Sequence, residues 1–213
     1  MTHVDWNRLA RTGDLSTVEF RQERMATIVL VIDARQVAYR GDQAGRPAVE
    51  HAIDAARSIA AGLLDEGHQV GITAFGPASC WLQPGTGTDQ RAAIEQVLGN
   101  HPALPPTPPV EQIVVTKRFR DLRRRFPATA QAILLTPLLD DFIVTIAGRL
   151  DAYDHASTVV SPDVTATGTP GERLARTERG LRIDRLRGNR IPVIDWSPDH
   201  PLATALRTAP GGP

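Results

Sequence analysis

The stretch TIVLVIDAR, residues 27–35, is a run of β-branched and apolar residues that ends abruptly in an acid, an alanine and a base. A strand with one face in water alternates polar and apolar residues. A run apolar at every position predicts a strand covered on both sides, the condition of a parallel sheet between two helix layers. Residues 131–139 (QAILLTPLL), 157–163 (STVVSPD) and 191–197 (IPVIDWS) read the same way. Between the first strand and HQVGITAFG (68–76), apolar residues from Val49 to Leu64 recur at three- and four-residue spacing and Gly67 follows, an amphipathic helix with its terminal glycine. A short strand SCWLQ (79–83), a PGTG turn (84–87) and a helix capped by Thr88 come next. Further helices are expected from Val110 to Phe126, through Phe142 to Leu150, from Glu172 to Arg187 and around Leu202 to Leu206. Strands alternating with helices predict an α/β fold: a three-layer, doubly wound, mostly parallel sheet of the Rossmann-like kind. In such folds ligands occupy the crevice beyond the carboxyl ends of the strands, where the strand order reverses.

Composition narrows the function classes. The 213 residues are 41% hydrophobic and carry 24 Lys+Arg against 24 Asp+Glu, which suits one globular core and removes a general polyanion-binding surface. A single cysteine, Cys80, excludes an internal disulfide and a cysteine-based zinc site. The longest apolar stretch, Ala26 to Ile32, is too short to span a bilayer, and the polar start MTHVDWNRLA has no signal-peptide pattern. These features predict a soluble, cytoplasmic domain without a transmembrane segment.

The residues just past the strands are Asp33 and Arg35, Thr136 with Asp140 and Asp141, then Asp163 and Asp195. Two readings stand side by side. Clustered carboxylates are what a hard cation such as Mg²⁺ requires. Asp is also common at strand exits, where it accepts backbone hydrogen bonds and caps the next helix.

Residues 4–24 (VDWNRLARTGDLSTVEFRQER), leading into TIVLVIDAR, resemble the signature of the "domain of unknown function 58" family, and residues 48–76 resemble its first helix and second strand. On that resemblance the chain divides into a motif segment, 1–26, and a von Willebrand factor A-like α/β domain, 27–213. The resemblance implies a non-enzymatic module that binds other proteins, with AAA+ ATPases of the MoxR type as the expected partner class. Family members usually carry membrane helices and a β-rich segment as well. The expectation is therefore a short soluble member or a piece of a longer, membrane-anchored protein.

Von Willebrand A domains commonly hold a metal through an Asp-x-Ser-x-Ser loop, a distant Thr and an Asp after a later core strand. Here Asp33 keeps the first position, but Arg35 and Val37 stand where the serines would be, and Pro137 occupies the place of the second acid. Thr107, in the proline-rich loop HPALPPTPP (101–109), matches the distant Thr. The crevice is thus expected to be a degenerate adhesion site of Asp33, Arg35, Thr107, Thr136, Asp140 and Asp141, holding no metal or other cofactor. Two readings of Arg35 stand open: its guanidinium replaces the cation by pairing with Asp33 or Asp140, the preferred one, or it points to solvent.

A second function class is a Mg²⁺-dependent nuclease or phosphodiesterase, with Asp33, Glu50 or Asp54, Asp140 and Asp163 converging on the ion. Arg35 opposes it, since its charge repels the cation. Six basic residues within 117–125, among them Lys117, Arg118, Arg120 and Arg124, form a basic helix face. It reads as a solvated face or as a docking face for an acidic partner. Phe119 is the one aromatic residue within it, too few for a row of base-stacking platforms, so no specific nucleic-acid partner is expected. The arginines from Arg173 to Arg185 read as mixed surface ion pairs, and Trp6 and Trp196 as packing residues.

Overall fold

The computed structural model describes residues 25–111, 113–165 and 168–208. Its six strands are β1 (Thr27–Asp33), β2 (Gln69–Phe75), β3 (Cys80–Gly85), β4 (Gln131–Leu135), β5 (Ser157–Pro162) and β6 (Val193–Trp196). The six helices are α1 (Ala48–Asp65), α2 (Gly87–Asn100), α3 (Val115–Arg125), α4 (Phe142–Asp151), α5 (Pro170–Gly188) and α6 (Leu202–Thr208). The strands form one sheet in the order β3-β2-β1-β4-β5-β6, parallel throughout except for the antiparallel edge strand β3. The expected three-layer, doubly wound α/β architecture is present.

β1 shows why its sequence is continuously apolar. Ile28, Leu30 and Ile32 pack into one core with α1, Ile94 and Leu98 of α2, and Leu202 and Leu206 of α6. Val29 and Val31 pack into the other with Phe119 and Leu122 of α3, Ile143 and Ile146 of α4, and Ile183 and Leu186 of α5. Period-two side-chain alternation thus feeds two cores from one strand. Gly67 takes φ +80° after α1, and the amides of Gly67 and His68 donate to the carbonyls of Leu64 and Leu63. This left-handed helix end turns the chain back into β2.

Several elements depart from the sequence reading. The helix expected from Val110 starts at Val115; Val110 and Val114, which follow the proline-rich loop, point outward, 94% and 65% exposed. β3 runs to Gly85, through part of the expected PGTG turn, and the N-cap position of α2 falls at Thr86 instead of Thr88, without a side-chain capping hydrogen bond and with Gly87 at φ +78°. The apolar run 131–139 is a strand only to Leu135. Pro137 lacks the amide needed to extend the ladder, and the chain turns at Leu138, which is buried at φ 56°. The expected motif segment, except Met25 and Ala26, lies outside the described residues, as does Trp6.

The strand order reverses between β1 and β4. β1 connects outward to β2 on one side, while β4 leads to β5 on the other. The register Ile32↔Leu135 places Asp33 beside Thr136 at that point, and the candidate site lies there.

Candidate functional site

Asp33 is the last residue of β1 and is 1% exposed. Its carboxylate accepts from the hydroxyl of Thr136 at 2.9 Å and from the backbone amide of Arg35 at 3.2 Å. The guanidinium of Arg35 turns back over the strand end, donating from Nε at 3.0 Å to Oδ1 and from Nη2 at 2.8 Å to Oδ2. It also donates to Asp140, from Nη1 to Oδ2 at 2.6 Å and from Nη2 to Oδ1 at 3.0 Å. One planar fork therefore engages both acids at once, in bidentate geometry that a lysine could not supply. The plane is backed by Phe142, whose ring centroid lies 3.8 Å from Cζ of Arg35.

Local sequence fixes each part. Arg35 stands two residues past the end of β1, after the buried Ala34, and is the N-cap of the 3₁₀ turn Gln36–Tyr39. The loop after β4 carries Asp140, whose Oδ1 also accepts from the amide of Phe142 at the start of α4. Burial pushes the Asp33 carboxyl above the usual carboxylate range, against the pull of Arg35 and the hydrogen bond from Thr136. Burial draws the Arg35 guanidinium down, but Asp140 and Asp33 outweigh it and hold its pKa above the ordinary value.

The metal that a von Willebrand A-like crevice implies does not fit these residues. The two serine positions hold Arg35 and Val37, and the acid oxygens facing the crevice are already taken by guanidinium N–H groups. A divalent ion would have to displace a cation that is covalently part of the chain. Among the described residues no group of three or more His, Cys, Asp or Glu side chains is arranged to hold a metal ion.

Of the remaining candidates, Thr107 is exposed on the proline-rich loop, and no hydrogen bond to Asp33 or Asp140 comes from it. The loop is tied to the crevice elsewhere: the hydroxyl of Tyr39 donates to the carbonyl of Pro105 at 2.7 Å, and burial pushes that phenol up to about 12. Asp141 is not part of the crevice. It is exposed and pairs with Arg182 and Arg185 of α5 at 3.1 and 3.2 Å. Glu50 and Asp54 lie on the outer face of α1, paired with Arg46 and Arg57, so the carboxylates invoked for a Mg²⁺ centre do not converge.

Asp163 and Asp195 gather instead around Arg179, which the sequence reading had placed among surface ion pairs. Arg179 is 3% exposed. It donates to the carbonyl of Pro137 at 3.1 Å, to the hydroxyl of Ser161 at 2.9 Å and to Asp195 at 2.7 Å, with Asp163 at 3.7 Å. The signal was present in the sequence: Arg179, Ile183 and Leu186 share one face of α5 at i, i+4 and i+7, and the last two are core residues. Two arginines thus close the carboxyl edge of the sheet, Arg35 over β1 and β4, Arg179 over the loop after β4 and strands β5 and β6.

Beside Arg35 lies an open cleft of about 320 Å³, lined by Arg35, Val37, Pro77, Glu111, Ile113, Asp140 and Phe142. With Gln36, which also lines it, its walls are half apolar and half polar or charged.

A family model described as "Protein of unknown function DUF58" matches residues 1–161. The chain belongs to DUF58. The match takes in β1 to β4 and both acids held by Arg35. Among solved structures, the DUF58 chain is similar to the conserved hypothetical protein BatB from Bacteroides thetaiotaomicron, at 12% identity and a TM-score of 0.46, covering 81% of this chain and 90% of that one. No curated protein matches the DUF58 chain.

Proposed function

We propose that this DUF58 chain is a non-enzymatic protein-binding module whose crevice is held in a fixed shape by Arg35 in place of a metal ion, and that its partner is a MoxR-type AAA+ ATPase. The observation that carries the reading is the double bidentate pairing of Arg35 with Asp33 and Asp140 at the reversal point of the sheet. Neutralised acids offer no general base and no open coordination site, while the cleft beside them presents Ile113, Val37 and Phe142 for contact. The ATPase partner is carried over from the family resemblance. The von Willebrand A-like finer assignment of the fold has the same source and agrees with the strand order and with the position of the crevice.

The test is titration of the chelator-treated protein with a purified MoxR-type ATPase. Saturable binding, unchanged by added Mg²⁺ and weakened by Ile113→Asp in the cleft, supports the reading. The absence of binding to the ATPase removes it. Saturable Mg²⁺ binding that Asp33→Ala abolishes, together with cleavage of a phosphodiester substrate, would establish the nuclease alternative.

A further inference from the structure

Charge is distributed unevenly over a chain whose net charge is zero. The arginines of the other helices mostly face acids: Arg57 pairs with Asp54 and Glu95, Arg91 with Asp65, and Arg182 and Arg185 with Asp141. α3 differs. It carries Lys117 and five arginines against one acid, Asp121. It buries Phe119 and Leu122 against the sheet. Lys117, Arg120 and Arg124, at i, i+3 and i+7, therefore fall along one outward line, and all three are exposed. Among the described residues no salt bridge reaches any of the three. A row of cations that no described acid neutralises costs stability through mutual repulsion, which a complementary surface relieves.

The approach to this helix is apolar. Val110 and Val114, on the segment that leads into α3, stand out in solvent. Ile113, between them, lines the cleft beside Arg35. Cleft, apolar rim and cationic face therefore follow one another along a single stretch of chain.

We propose that this stretch, the outward face of α3 with the rim of Val110 and Val114, docks an acidic, amphipathic segment of the partner protein. The inference rests on the protein-binding reading above and supplies the chemistry of the partner. Carboxylates meet Lys117, Arg120 and Arg124, and apolar side chains cover the two valines. A nucleic-acid strand suits the surface less well. The one aromatic residue of α3, Phe119, is buried and cannot stack on bases, exposed valines have no counterpart on a phosphate backbone, and Glu111 and Asp121 would repel one.

The experiment uses a fluorescent synthetic peptide that alternates Glu or Asp with Leu, titrated by anisotropy against the intact protein. A single-stranded oligonucleotide of equal length serves as competitor. The triple variant Lys117→Glu, Arg120→Glu, Arg124→Glu is expected to lose about tenfold or more in peptide affinity, while Val110→Ser with Val114→Ser loses about threefold. Added salt weakens wild-type binding. All altered side chains are exposed, so thermal unfolding should remain close to that of the wild type and serves as the folding control. Equal peptide binding by wild type and triple variant overturns the proposal, as does an oligonucleotide that displaces the peptide and binds more tightly through the same three residues. An ATPase that binds wild type and triple variant equally removes α3 as the docking face and leaves the proposed function standing. Peptide binding through α3 without any ATPase binding supports the docking face and removes that partner.

Discussion

Arg35 is the residue on which the site turns, because among the described residues it is the one cation paired with a fully buried carboxylate. Removing one partner of a buried pair leaves the other charge without water and without a counterion. Arg35→Ser is expected to destabilise the fold by about 3–5 kcal/mol in denaturant unfolding at neutral pH. The loss has a definite pH dependence. Asp33 already titrates above its unfolded value, and without Arg35 it rises further, so the folded state then holds a proton that the unfolded chain releases. That contribution favours folding at low pH and is lost as pH rises through the folded value. The gap between variant and wild type should therefore narrow as the solution is acidified. A gap that is absent, or constant with pH, contradicts the role given to Arg35. Cys80 offers a second check at this scale. It is 5% exposed, and burial pushes its thiol up to about 11. Alkylation of the native protein at mildly alkaline pH should be far slower than that of the denatured chain, and fast native alkylation would show the β3 edge to be open.

Among the elements, α5 and β2 carry the most specific requirements. α5 begins with a capping box: Thr169 accepts from the amide of Glu172, and Glu172 accepts from the amide of Thr169. This box sets the start of the helix that brings Arg179 to the strand ends. Thr169→Ala is expected to cost about 1 kcal/mol in thermal or denaturant unfolding. On β2, Gly71 faces the edge strand so closely that a Cβ would lie 2.8 Å from the carbonyl oxygen of Leu82 and 2.9 Å from the ring of Pro84. The register of β2 and β3 also shifts between Val70 and Ile72. Gly71→Ala should destabilise by about 1–3 kcal/mol and loosen the β3 edge, visible as faster amide exchange in β3. Element type was legible wherever periodicity ran long, as in α1 and β1. It failed at the start of α3, where Val110, Ile113 and Val114 have a helical spacing that the proline-rich loop does not let them use.

For the molecule as a whole, the two arginine closures make the carboxyl edge of the sheet a finished surface. Adding Mg²⁺ to chelator-treated protein should leave the melting temperature unchanged, since only a ligand that prefers the folded state raises it. A concentration-dependent rise would show that a cation can displace Arg35. Acid stability has a separate source. Burial raises the Asp42 carboxyl, but hydrogen bonds from His51 and from the amides of Arg46 and Ala44 outweigh it and hold the carboxyl below its usual value. Such a group contributes stability above the unfolded pKa of about 3.9 and loses it as pH falls through the folded value. The wild type should therefore lose stability on that limb faster than Asp42→Asn, as followed by denaturant unfolding across the acid range.

Sequence alone determined the layer architecture, because a continuous apolar run such as TIVLVIDAR has no stable home except between two covering layers. It also determined that Asp33 and Arg35 sit together at a strand end, since two residues along an extended chain cannot be far apart. What the tertiary structure decided was the company they keep. Asp140 is 105 residues from Arg35, and its arrival depends on β4 pairing with β1 and on the turn at Leu138. Asp141, one residue on, faces α5 instead, because adjacent side chains at the start of a helix point in different directions. Arg179 shows the same division. Its place on the apolar face of α5 is written in the spacing, whereas its burial against Ser161 and Asp195 exists only once α5 lies across the ends of β5 and β6.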